Sequence, residues 1–207
     1  MISDKYKAIF IHIPRTGGHT VDAVLEYNIK YITRKERLPR HAAPESYQNK
    51  YSNKIDNYFK FTFVRNPYDR VVSAWSKVNL GVIKKLNNDL SKVNSLEVQN
   101  KLVSMFENFI LNEWDNSFGL TNHFRPLKLW FRQGKKFYDF IGRFEHYERD
   151  INSICSKLNI NMNQVIPRIS QSIRKDYKIY YNNQKVIDKV KEMYKEDFEL
   201  FDYKIGD

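Results

Sequence analysis

The residues best equipped for chemistry sit in two short stretches. In the first, Pro14-Arg15-Thr16-Gly17-Gly18-His19-Thr20, a cation and two hydroxyls border a pair of glycines. Glycines permit a tight turn whose backbone N–H groups face one point, and such a turn opening a helix holds an anion. Arg15 and the Thr16 and Thr20 hydroxyls add charge and donors. The GxxxxGK[ST] spacing of a Walker A loop is absent. Read alone, this stretch is also compatible with a strand followed by a turn that binds nothing. In the second stretch, Ser73 lies about two helical turns beyond Arg65. A guanidinium fork and a hydroxyl suit a phosphate group. The same pair alone fits a surface ion pair and an exposed hydroxyl equally well. An anion cradle together with a separate phosphate clamp suits a nucleotide phosphorylated at two places.

The elements that must position these groups follow from patterning. The apolar, β-branched run 8–13 predicts a buried strand, ended by Pro14, which has no N–H for a ladder. Val21, Val24 and Leu25 recur at helical spacing, so a helix follows the turn, with Asp22 in its first turn. Residues 29–32 predict a short strand, and the polar stretch 33–58 a long loop with at most one helical turn. That loop carries His41, and loops of this length are more often functional than idle. The aromatic run 59–64 predicts a second strand, and Val71, Val72, Trp75 and Val78 a helix. Residues 79–95 read as polar surface. Leu102, Met105, Phe106, Phe109 and Ile110 form the core stripe of a longer helix. A loop over 116–122, a short helix over 126–131 that stops near Gly134, a third strand over 137–141 and a helix over 147–158 follow. Residues 160–182 read as irregular, and the last helix starts near Asn183. Strands separated by helices predict an α/β fold with a mainly parallel sheet and one domain over residues 1–207. Ligands bind at the carboxyl ends of such strands. Arg15 and Arg65 lie just past two of those ends, so both cations are expected in one crevice.

Composition sets the frame. The 207 residues are 42% hydrophobic and 15% aromatic, which is globular rather than disordered. No apolar run approaches the roughly 20 residues that span a bilayer, and no signal-peptide pattern is visible. The single cysteine, Cys155, sits among Ile151, Ile154 and Leu158 at helical spacing, as a buried core thiol does. These features lead to the expectation of a cytoplasmic protein without a membrane span. The net charge of +11 suggests an anionic partner, but lysine is abundant throughout, and charge alone does not choose among nucleotide, acidic glycan, nucleic acid and membrane surface.

The two stretches resemble a known family. Ile11-His12-Ile13-Pro14-Arg15-Thr16-Gly17-Gly18 is similar to the 5′-phosphosulfate loop of the sulfotransferases. Phe61-Thr62-Phe63-Val64-Arg65-Asn66-Pro67-Tyr68-Asp69-Arg70-Val71-Val72-Ser73 is similar to their 3′-phosphate motif. The match is nearest to the carbohydrate sulfotransferases of the heparan 2-O and chondroitin/dermatan types. It extends through Ile141-Gly142-Arg143-Phe144-Glu145 to 194–203, and so covers nearly the whole chain. The resemblance implies a P-loop NTPase-like three-layer α/β fold and the donor 3′-phosphoadenosine 5′-phosphosulfate. It implies in-line transfer of a sulfuryl group to a hydroxyl of a carbohydrate, without a metal. On that reading Pro14, Arg15, Thr16, Gly17, Gly18, His19 and Thr20 hold the 5′-phosphosulfate. Arg65, Ser73 and Arg174 hold the 3′-phosphate. The family has lysine where this chain has Arg15; arginine keeps the charge as a planar fork but does not donate a proton.

Transfer to a hydroxyl calls for a base, and histidine suits the task. Of the five histidines, His12 reads as structural, His146 as a cap or surface group, and His19 as a member of the cradle. His123-Phe124-Arg125-Pro126 resembles a segment of the chondroitin/dermatan-type members, which points His123 and Arg125 toward the acceptor. Related enzymes place a catalytic histidine in the region of His41, so His41 is the expected base and Arg15 the catalytic cation. Glu145 is read as structural, and Tyr177, Tyr180 and Tyr181 as core. The expected partner is a glycan, favoured as acidic by the charge; no nucleic acid is expected. The alternatives are a non-catalytic module for anionic glycan or nucleic acid, and a P-loop kinase, which would need the missing Walker lysine.

Overall fold

The computed structural model of the chain describes residues 1–25, 38–81, 96–114, 122–161 and 176–205. The strand expected at 29–32, residues 82–95, most of the 116–122 loop, and Ser170, Ser172 and Arg174 lie outside the described residues. The described chain divides into two compact units, Met1–Arg65 with Leu127–Ser170, and Asn66–Pro126 with Gln171–Asp207.

The first unit holds the sheet, in the order β1 (Ile2–Ser3), β2 (Ala8–Phe10), β3 (Phe59–Val64), β4 (Phe140–Arg143). β1 runs antiparallel to β2, and the other two pairings are parallel, with Phe10 beside Phe61 and Phe61 beside Phe140. This is the expected α/β class with a mainly parallel sheet flanked by helices. The helices of this unit are α1 (Gly18–Val24), α2 (Pro44–Lys50), α3 (Ser52–Ile55) and, later in the chain, α6 (Tyr147–Lys157). Ile151, Ile154 and Cys155 repeat at helical spacing and are buried in one cluster with Ala8, Phe10, Val21, Phe61 and Phe63. Cys155 is thus the core thiol its spacing predicts. Each large side chain so buried contributes about 1.5–3 kcal/mol. β4 comes close to β3 because residue 142 is glycine: a Cβ there would lie 2.5 Å from the Phe63 ring.

The second unit is helical. Asn66 caps α4 (Pro67–Val78), its side chain accepting from the Tyr68 N–H at 3.0 Å, and Pro67 fills the first turn, where no N–H is needed. α5 (Leu96–Asn108) passes into a π-helical turn, Phe109–Glu113. α7 (Gln184–Met193) is capped by Asn183 and followed by α8 (Lys195–Phe201). The stripe Leu102, Phe106, Phe109 and Ile110 is buried against Trp75, Tyr177, Tyr180 and Tyr181, so this tyrosine cluster is core, as expected. The Tyr181 hydroxyl donates to the Tyr68 carbonyl at 2.8 Å, which removes the cost of burying it.

Several boundaries differ from expectation. β2 stops at Phe10 rather than residue 13: Ile11 N–H still reaches the Phe61 carbonyl at 3.0 Å, and then the chain leaves the ladder for the turn. The third strand is Phe140–Arg143, not 137–141, because Lys135–Phe137 winds into a 3₁₀ turn. The polar stretch 33–58 carries two helices where one turn was expected; Pro44 starts α2 rather than breaking it. The short helix expected over 126–131 is a 3₁₀ turn, Leu127–Trp130. Asp22 lies one turn into α1 rather than in its first turn, since the helix begins at Gly18. Among the described residues, no helix is long and apolar enough to cross a membrane.

Candidate active site

The turn after β2 is held in shape by bonds that its own sequence dictates. Thr16 donates its hydroxyl to the Ile13 carbonyl at 2.8 Å, and Thr20 N–H closes onto the Gly17 carbonyl at 3.1 Å. Gly17 has φ +90°, a region glycine enters without penalty. Arg15 also has a positive φ, +68°, which a residue with a Cβ adopts only under constraint. The constraint is visible: the Arg65 guanidinium donates to the Arg15 carbonyl at 3.0 Å and stacks on the Phe144 ring, 3.8 Å from its centroid. The two cations expected in one crevice are therefore joined, through the backbone of one and the fork of the other. Tyr147, at the start of α6, donates its hydroxyl to the Gly17 carbonyl at 2.8 Å. Burial, partly opposed by a bond to Thr20, pushes the Tyr147 hydroxyl above the usual tyrosine range, so it stays protonated.

Three imidazoles gather at this turn. His12 is 3% exposed, and its ring lies directly against Gly18: a Cβ at residue 18 would stand 2.2 Å from Nε2. The His41 ring meets the His12 ring edge-on at 4.8 Å, and His19 does so at 5.9 Å. Burial first, then the neighbouring His41 and Arg40, holds His12 well below the usual histidine range, so it is neutral. His41 Nδ1 is 3.0 Å from the His12 carbonyl. A carbonyl only accepts, so Nδ1 carries the proton and the Nε2 lone pair is the basic one. The indole of Trp130 donates to the His41 carbonyl at 3.3 Å, fixing the residue from its other side. The segment before α2 thus brings His41 to the turn that begins at Pro14. Among the described residues, no group of three or more His, Cys, Asp or Glu is placed to hold a metal ion.

Of the other residues singled out by sequence, Pro14, Thr16, Gly18 and Thr20 are buried in the turn, Arg15 and Gly17 are partly buried, and His19 is exposed. Ser73 is buried in α4 of the second unit, and Arg65 closes the first. His123 is half-buried and Arg125 exposed, both in the second unit. Their carbonyls accept from the buried Arg70 at 3.2 and 2.6 Å, and the Phe124 carbonyl accepts from Tyr194 at 2.6 Å. His146 is exposed at the head of α6 and makes no side-chain cap. Sequence reasoning missed Phe144, Tyr147 and Trp130, which brace the turn and His41, and it missed Arg40. An arginine next to the expected base was a signal in hand; the partners of aromatic side chains were not.

Comparison with known proteins supports the same direction. The chain is 21% identical to carbohydrate sulfotransferase 14 of Danio rerio over 98% of its own length, and spans 61% of the length of that relative. No solved structure matches. A family model described as "Sulfotransferase family" matches residues 1–204. With a match of that extent on a chain whose glycine turn, arginine clasp and histidine cluster coincide, the protein belongs to the sulfotransferase family.

Proposed function

We propose that the protein transfers a sulfuryl group from 3′-phosphoadenosine 5′-phosphosulfate to a hydroxyl of a carbohydrate, with His41 as general base. The observation that carries this reading is the placement of His41: its Nδ1–H is tied to the His12 carbonyl, its ring packs on His12, and His12 packs on Gly18 of the turn. A base of fixed tautomer beside an anion turn is what acyl- or sulfuryl-type transfer to a hydroxyl requires.

The residues present fit the donor. The turn is a backbone concavity with left-handed residues at 15 and 17, a shape that suits a tetrahedral anion. Gly18 leaves no room for a side chain above His12. In the reaction, His41 Nε2 takes the acceptor's hydroxyl proton. The acceptor oxygen bonds to sulfur while the sulfur–oxygen bond to the 5′-phosphate breaks, and the electron pair stays on that phosphate. Arg15 and the turn's N–H groups stabilise the charge that collects there. Arg65, Ser73 and Arg174 are assigned to the 3′-phosphate, and His123 and Arg125 to the acceptor, by the family resemblance. The glycan class rests on the same resemblance and on the name of the relative.

The test is calorimetric titration with 3′-phosphoadenosine 5′-phosphate against adenosine 5′-phosphate. Binding that needs the 3′-phosphate and weakens in Arg65→Ala supports the donor. Equal affinity for the two nucleotides overturns it. Sulfate transfer to desulfated chondroitin, dermatan and heparan chains is then compared with His41→Ala, for which a loss of about 10²–10⁴-fold in kcat is expected.

A further inference from the structure

Next to His41 in sequence lies a charged group whose side chain reaches the helix that follows the turn. Arg40 Nη1 is 2.9 Å from His19 Nδ1, and Arg40 Nη2 is 3.4 Å from Asp22 Oδ2. His19 and Asp22 are three residues apart on α1, so they share one face, and their side chains are 3.7 Å apart. Asp22 is 9% exposed, and neither carboxylate oxygen has a hydrogen-bond partner that meets normal geometry. A buried carboxylate beside a turn built for anions works against anion binding unless a cation is held on it. Arg40 is that cation. Burial pushes the Asp22 carboxyl up to about 6, with Arg40 pulling it back toward the charged form.

The consequence reaches His41 through one peptide bond. Arg40 is fastened to α1, His41 Nδ1 to the His12 carbonyl, and the His41 carbonyl to Trp130. The Arg40–His41 pair is therefore clamped on three sides. We propose that Arg40, held on α1 by Asp22 and His19, is the positioning residue for His41: it docks the base onto the turn and keeps a positive charge beside it. This rests on the general-base reading of His41. The charged and titratable groups on the elements packed around His41 are His12 just past β2, His19 and Asp22 on α1, Arg40 itself, Glu45 in the first turn of α2, and the Met1 amine, which burial first of all lowers to about 4 and so leaves neutral near pH 7. A guanidinium held on α1 beside the three imidazoles works against positive charge on their rings, as it does for His12, and a charged Asp22 works the other way.

Charge and clamp make opposite demands on two variants, which separates this role from a merely structural one. Arg40→Ala removes a positive neighbour, so His41 should protonate more easily and its midpoint should rise by about half a pH unit. Asp22→Asn keeps the shape, leaves Arg40 uncompensated and should lower the midpoint by a similar amount. Arg40→Lys retains the charge and should stay near the wild-type midpoint. The measurement is NMR titration of ring-labelled histidines in the full chain, which has five, with His41→Asn to assign the signal. Amide spectra and binding of 3′-phosphoadenosine 5′-phosphate report whether each variant is folded. If Arg40→Ala does not fold, Asp22→Asn and Arg40→Lys carry the test.

Opposed shifts in the alanine and asparagine variants support the proposal, as does a fall of about tenfold in kcat for Arg40→Ala with donor affinity kept. A His41 midpoint that moves in neither variant, or moves the same way in both, overturns it. Full activity in His41→Ala would instead sink the base reading, whatever the midpoints do, so the two failures are distinguishable.

Discussion

Gly18→Ala is the most informative single perturbation of the turn, because its cost comes from one contact. The residue begins α1 and is not among those with positive φ, so the backbone itself accepts alanine. The new Cβ would stand 2.2, 2.3 and 2.5 Å from Nε2, Cδ2 and Cε1 of His12. All three distances are far inside van der Waals contact, and the His12 ring is confined by Phe10 on one side, at 5.4 Å between centroids, and by His41 on another. Overpacking of this kind costs about 1–3 kcal/mol. Alanine recovers at most about 1 kcal/mol of helix propensity over glycine. The expected net loss is about 1–2 kcal/mol, or a fall in Tm of about 2–4 °C per kcal/mol for a chain of this size. His12→Ala removes the obstruction at its own cost, a cavity worth about 2–4 kcal/mol. In the double variant the methyl group added at residue 18 enters the vacated space, so the combined loss should fall short of the sum of the single losses by about 1–2 kcal/mol. Urea unfolding followed by circular dichroism reads all four corners of the cycle. Additivity to within about 0.5 kcal/mol would refute the argument that His12 is what requires glycine at residue 18.

Other consequences are as direct. Tyr194→Phe keeps a ring that is 1% exposed but leaves the Phe124 carbonyl without its 2.6 Å donor, so stability should fall by about 1–3 kcal/mol in urea unfolding. Cys155 is 2% exposed and burial pushes its thiol up, so a thiol reagent should label it only after denaturant is added. Asp22 has a folded-state midpoint raised from 3.8 to about 6, so the folded state binds its proton more tightly than the unfolded chain. The associated stability is present below about pH 4 and is lost as pH rises through 6. Asp22→Asn should flatten that part of the stability profile in thermal melts run from pH 4 to 7.

The parts of the fold legible in the sequence are those set by continuous local pattern. Phe59–Val64 is a strand at the bounds its aromatic and β-branched run predicts, and both its neighbours pair with it in parallel. The α6 helix ends one residue short of expectation. What escaped depends on contacts made across the chain. β1 has two residues, too few for a pattern, and exists because Ile2 and Ser3 pair with Ile9 and Ala8. The third strand is displaced because Asp139, an expected strand residue, spends its carboxylate on the Lys60 N–H at 2.7 Å. In the site, the glycine turn, the arginine after β3 and the loop histidine were all visible as residue types. The side-chain ties were not: nothing in the spacing of Gly18 and His12, or of Arg40 and Asp22, announces that they touch.

Trp130, which ties down His41, also gives the molecule an optical handle. The chain has three tryptophans. Trp75 and Trp114 lie in the helical unit, whereas Trp130 belongs to the unit that carries the sheet. All three are almost wholly shielded from water, so each should shift its emission to the red when its surroundings open. With Trp75 and Trp114 replaced by phenylalanine, ultraviolet fluorescence would follow the sheet-bearing unit alone. With Trp130 replaced, it would follow the helical one. Coincident melting curves would make the chain a single cooperative folding block, and separate curves would mean that one half can come apart while the other keeps its shape.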